Sequence, residues 1–157
     1  MTAAQPVSEG ILTADVDGLK PPVKGSYTAE TVTLTAQYDS LFKQEAWAAS
    51  GEWWIAGPSR PRRNLSIVLN VAQTANLNIT YNLVTDSSLV RAVFVERLAV
   101  DIDPFYPAIQ GTVTFFKLPA AGSDKGQIEA EFEFQGQNGD PLPETVMVSK
   151  GKLHIQN

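Results

Sequence analysis

The hydrophobic pattern of this chain predicts an all-β fold. It fits an antiparallel β-sandwich or partly closed β-barrel of about nine or ten short strands, with one short helix. Three observations carry that expectation. Apolar residues recur at every second position along most of the chain, the spacing that puts them on one face of a strand. Clusters of Gly, Pro, Asn and Asp punctuate the runs, as at Asp17-Gly18, Gly57-Pro58, Gly122-Ser123-Asp124, Asn138-Gly139-Asp140-Pro141 and Lys150-Gly151. The links between runs are too short for the helical crossovers of a parallel sheet.

The runs come in order. Leu12–Val16 reads as a first strand, and residues 17–26 read as a long loop. Thr31 to Tyr38 sets Val32, Leu34, Ala36 and Tyr38 against Thr and Gln. Ser40 to Ser50 reads as the helix, with Ser40 as N-cap, several good helix formers, and Gly51 at the C′ position. Trp53–Ala56 resumes the strands. Leu65, Ile67, Leu69 and Val71 alternate cleanly, as do Leu77, Ile79, Tyr81 and Leu83, and Gln73-Thr74-Ala75-Asn76 between them suggests a hairpin of 64–73 with 76–84. Val90–Val95 and Thr112–Phe116 are denser in apolar residues and suit central strands. Ile128, Ala130, Phe132 and Phe134 alternate with Glu129, Glu131 and Glu133, and the pairs Val146/Val148 and Leu153/Ile155 close the chain.

Composition bounds the function. At 157 residues, with 43% hydrophobic and 18% charged residues, the chain is expected to be a single globular all-β domain over 1–157, with about residues 1–26 as a flexible N-terminal arm. No apolar run reaches the roughly 20 residues of a membrane-spanning helix. Met1 to Pro6 has neither a basic nor an apolar signal region, so the expectation is a cytoplasmic protein or one exported with its signal removed. A net charge of −5 argues against nucleic acid as a partner. Cysteine is absent, which removes disulfides, thiol nucleophiles and thiolate metal sites. The single histidine, His154, is badly placed for a triad or a two-histidine metal site.

The binding candidates cluster. Trp47, Trp53 and Trp54 lie close together, and Tyr106 follows later in the chain. Aromatic faces stack on sugar rings or line apolar pockets. Adjacent strand residues point to opposite faces, so Trp53 and Trp54 do not share one core. Arg60, Arg62 and Arg63 form a basic cluster directly after them, and guanidinium forks suit phosphate or carboxylate. The other reading of these arginines is a solvated turn pairing with the protein's own acids. Asp15/Asp17 and Asp101/Asp103 have a spacing that lets two carboxylates share a calcium, but neither pair has an EF-hand loop. The Glu129/Glu131/Glu133 stripe reads as a solvent face. No nucleophile elbow, phosphate loop or dinucleotide fingerprint is present, and no acid pair stands out for hydrolysis. The chain is therefore expected to be no enzyme and to need no cofactor or metal.

Two resemblances follow from particular residues. Gln110–Phe116, then Gly126–Phe134, then Val146–Ile155 give the order of a glycine, an alternating strand, Phe-x-Phe, a strand, a glycine and a strand. This resembles the closing strands of small all-β bacterial proteins, often lipoprotein-like, and implies the fold without an activity. The lipobox cysteine of such proteins is missing here. Gly51-Glu52-Trp53 resembles the Gly-x-Trp of the lipocalin family, which implies a barrel around an apolar ligand cavity. In that family the motif opens the first strand, whereas here about fifty residues precede it.

The expected function is a non-catalytic binding or interaction module, for carbohydrate, an anionic ligand or a protein partner. Its expected contacts are Trp53, Trp54, Arg60, Arg62, Arg63 and Tyr106. The alternatives are a lipocalin-like carrier of an apolar small molecule, with Phe94, Phe115, Phe132 and Phe134 lining the cavity, and a structural or assembly subunit.

Overall fold

The computed structural model describes residues 8–19, 22–57, 60–97, 104–123 and 125–157. The side chains of residues 56, 57 and 60–62 lie outside that description. The described chain is all-β. Its strands are β1 (Glu9–Gly18), β2 (Val23–Thr28), β3 (Thr31–Asp39), β4 (Gln44–Gly57), β5 (Arg60–Ala72), β6 (Thr80–Asn82), β7 (Val90–Arg97), β8 (Phe105–Lys117), β9 (Gln127–Gln137) and β10 (Thr145–Gln156).

All pairings are antiparallel, in the order β2-β1-β10-β9-β8-β7-β5-β4-β3, with β6 on β8. Strand β8 is the seam. Its start, Phe105 to Pro107, pairs with Val95 to Val93 of β7, and from Ala108 onward it pairs with β9. The sheet thus folds over into two half-sheets that share β8. One core fills the space between them, with Leu12, Tyr27, Trp47, Ile67, Phe94, Phe115, Ile128 and Leu153 among its buried side chains. Period-two burial runs along β9 and β10, so Ile128, Ala130, Phe132 and Phe134 point in while Glu131 and Glu133 point to solvent.

The sheet does not close into a full barrel, but its far margins approach. Leu34 N–H of β3 donates to Ser8 Oγ at 2.9 Å, and Asn157 Nδ2 to Leu34 O at 3.0 Å. Gly51 permits this approach, because a Cβ there would meet the Cβ of Ala29 at 2.7 Å. Tyr27 ties the two half-sheets together. Its hydroxyl lies 2.7 Å from Gly51 O and 2.9 Å from Leu65 O, and its proton serves one or the other.

Several sequence expectations are corrected. No helix occurs among the described residues, so the helix over 40–50 does not form. The helical signal lasts one turn. Asp39, rather than Ser40, accepts the N–H groups of Leu41 and Phe42 at 2.8 and 3.0 Å. Lys43 then takes a left-handed φ of 57°, which ends the turn. The alanine-rich run continues as β4 because both of its edges are occupied, by β3 and β5; helix propensity is a weak prior against two ladders of hydrogen bonds. Residues 64–73 and 76–84 form no hairpin. Strand β5 pairs with β4 and β7, while the second run shrinks to the three residues of β6 on β8. Its positions split accordingly, Tyr81 and Leu83 buried, Leu77 and Ile79 exposed. Within the loop expected over 17–26, Asp17 and Gly18 of β1 pair with Lys24 and Val23 of β2, so the segment expected as an arm supplies β1 and most of β2.

Candidate functional site

At one end of the molecule the inward-facing positions change from apolar to ionic. Along β5 the buried stripe of Val71, Leu69, Ile67 and Leu65 reaches Arg63 at the next inward position. Along β7 the stripe of Val90, Ala92 and Phe94 reaches Glu96. Leu65 stands opposite Glu96 in the ladder, which brings the two charged ends together. Arg63 Nε donates to Glu96 Oε1 at 2.7 Å and Nη2 lies 2.6 Å from the same oxygen. The side chains are only 16% and 7% exposed, so the pair stands in a partly desolvated environment. There a lost partner is expensive.

Three further elements complete this end. From β8, Tyr106 faces inward opposite Phe94 and meets its ring edge-on, with centroids 6.3 Å apart. Burial pushes the Tyr106 hydroxyl up to about 12, helped by the negative charges of Glu144 and Glu96 and by a hydrogen bond with Glu144. The β9–β10 connection delivers Glu144. Asn138 braces that loop, its Oδ1 accepting Glu144 N–H at 2.8 Å and its Nδ2 donating to Asp140 at 3.2 Å. From β4, Trp53 faces inward and is partly buried, edge-on to Tyr27 with centroids 5.3 Å apart. Burial also pushes the Tyr27 hydroxyl well above the usual tyrosine range, with the charge of Glu52 adding to the effect.

The candidate residues are thereby sorted. Trp53, Arg63 and Tyr106 converge on this end. Trp54, the next residue along β4, is 38% exposed on the opposite face, and Trp47 is core. The side chains of Arg60 and Arg62 lie outside the description, as do Asp101 and Asp103. Asp15 contacts Lys150 at 3.9 Å on the outer surface. Among the described residues no group of three or more His, Asp or Glu side chains is placed to hold a metal ion, and no helix is long and apolar enough to cross a membrane. His154 is on the outer face of β10, with Nε2 3.2 Å from Gln127 Oε1.

Sequence reasoning missed Glu96, Glu144 and Tyr27. The signal for Glu96 was present, because the parity of Phe94 extends two positions on. Glu144 has no such signal, since a loop delivers it. The Gly51-Glu52-Trp53 motif lies in the middle of β4, not at the opening of a first strand. Phe94, Phe115, Phe132 and Phe134 are all buried within the single core cluster.

Comparison with family models, with curated proteins and with solved structures finds no match to this chain.

Proposed function

We propose that the protein is a non-catalytic binding module that takes a neutral carbohydrate at the end lined by Trp53, Arg63, Glu96, Tyr106 and Glu144. The observation that carries this reading is the convergence, from four strands and a loop, of an indole that the ladder Trp53–Leu65–Glu96 sets level with an oriented guanidinium–carboxylate pair. An aromatic face suits the apolar side of a sugar ring, and fixed donors and acceptors suit its hydroxyls. The mouth of a sheet closing on itself is a common place for such a site. Of the ligand classes compatible with the sequence, an anion has less support. Arg63 already faces Glu96, and Glu144 and Asp140 add negative charge nearby. A carrier of apolar molecules inside the sheet also has less support, because large buried side chains fill the interior.

The test is intrinsic tryptophan emission and thermal midpoint across a panel of neutral mono- and oligosaccharides. At least one sugar should change the emission and raise the midpoint, as ligand binding to the native state requires. Trp53→Ala should abolish that response, and Trp54→Ala, on the opposite face, should retain it. A flat panel overturns the reading, as does a response that depends on Trp54 and not on Trp53.

A further inference from the structure

A concavity lies on the opposite, outer face of β5, β7 and β8. Leu83, Val84 and Ser87, from the turns between β6 and β7, line it together with Phe105, Pro107 and Ala108 of β8. The groove holds about 440 Å³ and is lined mainly by apolar side chains, among them Val84, Val93, Phe105 and Pro107, with Asn70, Ser87 and Arg91 as polar members. Phe105 is 58% exposed and Val84 45% exposed, and both line the groove. Isolated surface hydrophobes are ordinary, but apolar walls converging on a concavity of this size have the form of a small-molecule site.

Arg91 gives the groove its chemical direction. Its Nη2 donates to Asp39 Oδ2 at 2.7 Å, and its guanidinium stacks over the Phe42 ring at 4.5 Å. These contacts engage Nη2 and one face of the planar group and leave further donors for a second acceptor, since a guanidinium carries five N–H bonds. Its Nε is buried and has no hydrogen-bond partner among the described residues. A buried donor in that state is costly, and a rearranged guanidinium that meets a ligand oxygen relieves the cost. Asp86, the acid of the 83–89 segment, accepts Asn82 N–H at 2.7 Å and is not among the residues lining the groove.

We propose that this groove binds a small monocarboxylate with an apolar body, of the medium-chain fatty acid class. The chain lies between Val84 and Phe105 over Val93 and Pro107, and the carboxylate meets Arg91. The site is distinct from the carbohydrate end and does not depend on that reading.

Isothermal titration of the full chain with decanoate tests the proposal, with decanol as the uncharged counterpart. Decanoate should bind saturably at one site, and decanol at least about tenfold more weakly. Phe105→Ser changes an exposed residue and should keep the fold, read by circular dichroism, while lowering decanoate affinity about tenfold or more. Arg91→Met should bring decanoate down to the affinity of decanol. The proposal is overturned by absence of saturable heat with decanoate, by equal binding of decanol, or by wild-type affinity in folded Phe105→Ser.

Discussion

Replacing Tyr27 with Phe isolates the bond that joins the two half-sheets. The ring is retained, so the edge-on contact with Trp53 and the packing around it persist. What is lost is one hydroxyl, fully buried, lying 2.7 and 2.9 Å from the carbonyl oxygens of Gly51 and Leu65. A buried hydrogen bond of this kind contributes about 1 kcal/mol net, and leaving buried acceptors without their donor raises the cost toward about 3 kcal/mol. For a chain of this size each kcal/mol moves the thermal midpoint by about 2–4 °C, so Tyr27→Phe should lower it by about 2–12 °C. Tyr27→Ala, which also empties the ring's volume, should cost about 3–5 kcal/mol. Urea unfolding followed by tryptophan emission measures both, and the slope should stay unchanged for Tyr27→Phe because the surface exposed on unfolding is the same. A Tyr27→Phe protein as stable as the parent would refute the role given to this hydroxyl as a tie between β2 and the β4–β5 ladder.

Other outcomes follow from the same contacts. Gly51→Ala places a Cβ 2.7 Å from that of Ala29 and should cost about 1–3 kcal/mol by denaturant unfolding, as overpacking does. Removing one partner of the buried pair, by Arg63→Met or Glu96→Leu, should cost about 3–5 kcal/mol, and the double replacement should cost less than the sum of the two, which a double-mutant cycle reads directly. Tyr106 is held neutral in the folded state, with its ionisation raised from 10.0 to about 12. The unfolded chain therefore releases this proton first. The stabilising contribution is complete below pH 10.0 and is lost as pH rises toward about 12, so thermal midpoints should fall across that window and fall less steeply in Tyr106→Phe.

Strand content was legible because burying one face of a strand leaves a two-residue period in the sequence, and β9 shows it without interruption from Ile128 to Phe134. The helix over 40–50 was misread because Ala and Glu favour helices locally, whereas the ladders that claim Ala46–Ser50 come from β3 and from β5. Those partners are invisible to a local reading. The same holds for β6. Its alternating pattern holds at Tyr81 and Leu83 and fails at Leu77 and Ile79, and its pairing with Thr112–Thr114 spans thirty or more positions and crosses β7. At the candidate site, the tryptophans and Arg63 stood out by type. Which tryptophan faces inward depends on strand register, and so does the partner of Arg63. Glu96 became part of the site only when β5 and β7 were paired.

The most direct test of the carbohydrate end is a map of backbone amide chemical shifts during titration with the sugar that gives the largest thermal response. The account predicts that the amides that move cluster around Trp53, Arg63, Glu96, Tyr106 and Glu144, while those of the β9–β10 outer face around Glu131 and Lys152 stay in place. Shifts concentrated on that outer face, or around Trp54 alone, would contradict it.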